Sequence, residues 1–85
     1  MSPALPVVSG VAVVAALAEV GYEQVSQRGS HVKLRRDERT VIVLLHRELA
    51  PGTLRSILRQ ASLTPAEFIA LLLGLPARMW VIAPI

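Results

Sequence analysis

The first 21 residues are mostly apolar, and their apolar side chains recur at the spacing of a helix. Ser9 can cap the N-terminus of this helix because its hydroxyl can accept a backbone hydrogen bond, and Gly21 is suited to end it. The apolar positions at helical spacing are Val11, Val14, Ala15, Leu17 and Ala18. The pattern predicts a helix between Ser9 and Gly21.

The next segment contains two polar runs that are typical of strands, separated by a tight turn. Residues 22–28 and 31–36 are predicted strands, joined by the two-residue hairpin loop Gly29-Ser30 with glycine first. Asp37-Glu38-Arg39 makes the next turn, and residues 40–45 form a third strand. Because this third segment is β-branched and continuously apolar, we expect it to be buried on both faces or central in the sheet.

A loop from Leu49 to Gly52 precedes a predicted helix over residues 53–61. The residues expected to face the core are Leu54, Ile57, Leu58 and Ala61. Arg55 and Arg59 are expected to face outward. The run Thr64-Pro65-Ala66-Glu67 has a capping threonine, a proline in the first turn and an acid three residues after the cap. It predicts a short third helix that ends before Gly74.

Composition limits the classes of protein to which the chain can belong. Its 85 residues allow one domain with a modest core. It has no cysteine and two histidines, so we expect a cytoplasmic protein without a disulfide framework, a metal or another cofactor. The apolar fraction of 53% and the mean hydropathy of +0.54 are high for so small a domain, which predicts that some apolar surface contacts a partner.

The apolar start of the chain is a poor match to a targeting or membrane segment. No Lys or Arg precedes Arg28, and Pro6, Ser9 and Gly10 interrupt the apolar run. The run is also shorter than the ~20 apolar residues that a membrane-spanning helix needs. We therefore expect neither a signal peptide nor a membrane span.

Positive charge is concentrated in the middle of the chain. The segment from Arg28 to Arg59 holds eight of the nine basic residues and three acids, a net charge of +5. Such a surface favours phosphate groups. A solvated face without a ligand explains the charge equally well, and charge alone does not separate the two interpretations.

His31, Lys33 and Arg35 are the candidate functional residues within this basic segment. Side chains at every second position of a strand share a face, so these three should project together. An imidazole beside cations can bind a phosphodiester and transfer its protons. A solvated histidine after a turn is the alternative interpretation, and His46, at the exit of the third strand, is expected to be structural or peripheral.

Four segments together resemble one known family. They are Val8-Ser9-Gly10, Gly21-Tyr22, Arg28-Gly29-Ser30-His31-Val32 and the run from Leu49-Ala50-Pro51-Gly52-Thr53 through Leu54-Arg55-Ser56-Ile57-Leu58-Arg59-Gln60-Ala61. At this spacing they are similar to the HicA (YcfA-like) toxins, over about residues 5 to 73.

The resemblance implies an α+β fold similar to a double-stranded-RNA-binding domain. Its order is α-β-β-β-α, a three-stranded antiparallel sheet with helices packed on one face, here with a further short C-terminal helix. It also implies an mRNA-cleaving toxin inhibited by a HicB-type antitoxin, with His31 as the catalytic histidine.

The residues themselves fit metal-independent RNA cleavage, in which the substrate 2′-OH is the nucleophile and the protein transfers protons and stabilises charge. His31 can transfer the protons. Lys33 and Arg35 can stabilise the charge on the phosphorus, with Arg28 as a further candidate. The backbone amides near Gly52 and Thr53 offer an additional phosphate site. The predicted RNA-binding residues are Arg28, Gly29, Ser30, Lys33, Arg35, Arg55 and Arg59. The two α-helical arginines can equally be solvated.

The expected domain covers residues 1–74, and residues 75–85, which contain Trp80, form a tail beyond the resemblance. The first helix lacks the lysines usual in the family, so its apolar surface, or the tail, is a candidate surface for a partner or for self-association. Two other functions stay open: a non-catalytic RNA-binding module, and a domain that binds proteins through its apolar helices.

Overall fold

A computed structural model describes residues 5–75, which form a three-stranded sheet and three helices. In chain order the elements are α1 (Gly10–Glu19), β1 (Glu23–Arg28), β2 (His31–Arg36), β3 (Arg39–Leu44), α2 (Pro51–Ala61) and α3 (Pro65–Leu72). This confirms the predicted α-β-β-β-α order with a further C-terminal helix. Residues 76–85, nearly all of the predicted tail, lie outside the described residues. Among the helices of residues 5–75, none is long and apolar enough to cross a membrane.

The strands form one antiparallel sheet in the order β1-β2-β3. One face packs against the helices and buries the side chains of Val32, Leu34, Val41 and Val43. The other face is exposed, and Ile42 of β3 is 38% accessible there. The prediction that the third strand is central or buried on both faces is therefore wrong. Two successive tight hairpins place the middle strand, β2, in the centre, and β3 lies at an edge.

Helix α1 begins as predicted, but it buries a different face. The Ser9 hydroxyl accepts a hydrogen bond from the Ala12 amide at 3.1 Å. The buried residues are Gly10, Val13, Ala16 and Leu17. Of the predicted apolar stripe, only Leu17 is among them. Because α1 is apolar on almost every side, spacing alone could not identify the face that packs against the core.

Gly10 lies where the start of α1 touches the end of β3. Its amide donates to the His46 carbonyl at 2.9 Å. A Cβ at this position would overlap the backbone carbonyl of Leu44 and lie 2.8 Å from the Cα of Leu45. Both neighbours are backbone atoms, which cannot move aside as a flexible side chain can. The contact therefore requires glycine.

We expect Gly10→Ala to destabilise the fold by about 1–3 kcal/mol, as for other overpacked sites. For a domain of this size, each kcal/mol lowers the melting temperature by roughly 4–8 °C. Gly52→Ala is the matched control, since Gly52 also lies in a first helical turn but an added Cβ there meets nothing within 4 Å. Thermal unfolding followed by circular dichroism measures both. Equal melting temperatures for the two variants would contradict the close approach at Gly10.

Helices α2 and α3 close the core. Helix α2 begins at Pro51, so the predicted loop from Leu49 to Gly52 is two residues too long; proline is well tolerated at the first helical position, where its missing N–H costs nothing. The predicted inward positions of α2 are all buried. At α3, the Thr64 amide donates to the Glu67 carboxylate at 2.8 Å and the Glu67 amide donates to the Thr64 hydroxyl at 3.1 Å. This confirms the predicted cap.

Tyr22 joins α2 to the sheet. It was predicted to open the first strand, but it lies just before β1 and is buried, with its hydroxyl donating to the Ala61 carbonyl at 3.0 Å. The guanidinium of Arg36 stacks on its ring at 4.8 Å from the centroid and donates to the Val20 carbonyl at 2.7 Å. Arg36 is thus a structural cation of the basic segment.

Candidate active site

Strand β2 carries the central residues of the candidate site. Val32 and Leu34 are each 1% exposed and point into the core. The intervening side chains of His31, Lys33 and Arg35 are exposed on the opposite face of the sheet. This confirms the prediction that the three side chains share one face.

A tight hairpin fixes the start of β2. Arg28 pairs with His31 across the two-residue loop Gly29-Ser30, and Gly29 has φ +54°, as the Gly-first type of hairpin requires. The Ser30 carbonyl accepts a hydrogen bond of 2.7 Å from the Leu45 amide, which follows β3. The loop is therefore anchored by the β1–β2 pairing and also by the residue that follows β3. Together these bonds fix the position of the His31 backbone.

A β-bulge brings Arg28 to the face of His31. The register of β1 against β2 shifts between Gln24 and Ser26, which leaves Val25 as the extra residue. Counted from Glu23 in an unbroken strand, Arg28 would lie on the helix side of the sheet. With the bulge, Ser26 pairs with Lys33 and Arg28 pairs with His31. The sequence of β1 contains one apolar residue, Val25, so its pattern of polar and apolar residues gives no sign of this shift.

These residues form a groove on the exposed face of the sheet. Its volume is about 500 Å³, and its lining comes from all three strands: Ser26, Arg28, His31, Lys33 and Ile42. The groove contains one imidazole, two cations and no carboxylate. Within residues 5–75, the side chains of Arg28, His31 and Lys33 form no hydrogen bond or ion pair. They are therefore available to a ligand with negative charge.

Arg35 continues the row of exposed cations along β2 beyond the groove. It lies opposite Glu23 of β1 in the sheet register. Among residues 5–75, no group of three or more His, Cys, Asp or Glu side chains is arranged to hold a metal ion. The groove can thus offer a phosphate two positive charges and one proton acceptor or donor.

Arg55 and Arg59 lie apart from this groove. Both are exposed on α2, which packs against β3 from the buried side of the sheet. They line a second depression of about 310 Å³, between α2 and α3, which shares no lining residue with the groove. The structure thus separates two of the predicted RNA-binding residues from His31.

His46 and the start of α2 are the remaining predicted positions. His46 is exposed and absent from the groove lining, and its carbonyl accepts the Gly10 amide. This contact is made by the backbone, so the structural or peripheral role expected of the His46 side chain stays a prediction. Gly52 and Thr53 lie in the first turn of α2, whose cap residue Ala50 makes no side-chain hydrogen bond to the helix.

The fold and the groove can be compared with known protein families. A family model described as the HicA toxin of bacterial toxin–antitoxin systems matches residues 12–63, more than half of the chain. The match runs from within α1 into the segment between α2 and α3, and it includes the whole sheet and the groove. A search of curated proteins finds no match.

Proposed function

The chain belongs to the HicA toxin family, which supplies the toxin of a toxin–antitoxin pair, and from this premise we propose that it is a metal-independent endoribonuclease with His31 as its catalytic residue. The observation that carries the proposal is the groove in which His31 stands beside Arg28 and Lys33. A carboxylate-free, cationic lining suits a phosphodiester better than a divalent metal ion.

In the proposed reaction, the 2′-OH of the substrate attacks the adjacent phosphorus. The His31 imidazole accepts the proton of that hydroxyl, and the bond between phosphorus and the 5′ oxygen breaks. The leaving oxygen takes a proton from water or from the imidazolium of His31. Arg28 and Lys33 stabilise the negative charge that builds up on the phosphoryl oxygens. The products are a 2′,3′-cyclic phosphate and a 5′-hydroxyl.

We propose that RNA binds to the exposed face of the sheet. Arg35 extends the cationic row along β2, and the Gly29-Ser30 loop borders the groove next to His31. A phosphate backbone that follows β2 would meet these positive charges in succession. Arg55 and Arg59 are not part of this surface.

A non-catalytic RNA-binding module is the second candidate function. It is favoured by one observation, that the lining of the groove offers a single imidazole and no carboxylate. Incubation of the purified chain with a long mRNA in EDTA separates the two functions. Cleavage supports the endoribonuclease, and binding without cleavage supports the module.

The toxin family implies a cognate antitoxin as the protein partner. We propose that it is of the HicB type, that it covers the groove around His31 and that both proteins act on mRNA in the cytoplasm. Self-association through α1 also stays a proposal, and Val11 at its start is 65% exposed.

A further inference from the structure

Arg55 and Arg59 carry positive charge that the fold does not neutralise. They lie one turn apart on α2, a helix without an acidic residue. Glu67 is the acid of α3, and its carboxylate accepts the Thr64 amide in the helix cap. Within residues 5–75, neither arginine side chain forms a hydrogen bond or an ion pair. Both guanidinium groups are therefore available to an anionic partner.

The depression beside these arginines has an apolar floor. Leu58, Leu63 and Pro65 line it together with Thr64 and the two arginines. No aromatic side chain is among these lining residues, so an RNA base would find no ring to stack on. A phosphate backbone would leave the apolar floor unfilled. An aliphatic side chain flanked by carboxylates matches both the floor and the cationic rim.

We infer that this depression binds an acidic segment of the cognate antitoxin, with an aliphatic side chain on the floor and carboxylates paired with Arg55 and Arg59. The inference rests on the proposed function for the identity of the partner. It gives the antitoxin a second contact outside the groove of His31. Two contacts on separate surfaces reinforce each other, because the second forms within an existing complex.

The test is the affinity of the purified antitoxin for variants of the full chain, measured by isothermal titration calorimetry. We expect Arg55→Glu combined with Arg59→Glu to weaken binding by at least about tenfold, since like charges would then face each other. Arg39→Glu is the control for the charge change. Its antitoxin affinity is compared with the affinities of the single variants Arg55→Glu and Arg59→Glu. Arg39 is the first residue of β3, next to the β2–β3 turn, and it lines a different depression. Circular dichroism checks that each variant is folded.

An unchanged antitoxin affinity in the double variant overturns the inference. If the same variant instead binds a labelled RNA oligonucleotide more weakly, the arginines belong to an RNA surface. If both affinities are unchanged, they are solvated side chains. This experiment measures binding and does not depend on catalysis. If the wild-type chain fails to cleave RNA, the proposed enzymatic activity is wrong, but the antitoxin affinities still test the present inference.

Discussion

Replacement of His31 by alanine is expected to slow RNA cleavage by about 10²–10⁴-fold, the usual contribution of a general acid–base group. Among the residues that line the groove, His31 carries the one imidazole, the side chain used most often for general acid–base catalysis. The side chain is exposed and bonds to no described residue, so its removal should leave the fold intact. Cleavage rates on one mRNA substrate, at equal protein concentration, measure the loss.

His46→Ala is the matched control for this variant. The chain has two histidines, and His46 is exposed outside the groove, where its backbone makes the described contact. We expect His46→Ala to cleave at the wild-type rate. Equal rates for wild type and His31→Ala, with both proteins folded, would contradict a catalytic role for His31.

Removal of a cation from the groove is expected to lower the affinity for RNA. It is also expected to make that affinity less sensitive to salt concentration. Each lost phosphate contact should lower the slope of log affinity against log salt by about 0.7 for a single strand. Arg28→Ala and Lys33→Ala, each made in the His31→Ala background so that the RNA stays uncut, test this by fluorescence anisotropy over a salt series.

Arg39→Ala is the control for the salt series, because it removes the same charge at the opposite end of the β2–β3 hairpin from His31. We expect its slope to match that of the His31→Ala parent. A reduction as large as that of Lys33→Ala would mean that overall charge, and not the groove, determines RNA binding.

Local patterns predicted much of this fold. The predicted hairpin at Gly29-Ser30 and the predicted cap at Thr64 are confirmed. Both could be predicted because the residues that determine them lie within a few positions of each other. The edge position of β3 and the buried face of α1 were missed. Both depend on which elements pack together, and a helix or strand with mostly apolar residues fits several arrangements.

In the candidate site, too, the features set by neighbouring residues could be predicted and those set by tertiary packing could not. The shared face of His31, Lys33 and Arg35 follows from the two-residue period of a strand. The position of Arg28 depends on the bulge at Val25, which sequence alternation does not reveal. The separation of Arg55 and Arg59 from the groove arises because α2 packs on the other side of the sheet.

The most direct test of the central claim is the end chemistry of RNA cut by the wild-type chain in EDTA. If the 2′-OH is the nucleophile and His31 transfers its proton, the upstream fragments will end in 2′,3′-cyclic phosphate and the downstream fragments will begin with 5′-hydroxyl. Fragments that begin with 5′-phosphate, or cleavage that EDTA abolishes, would contradict the proposed mechanism.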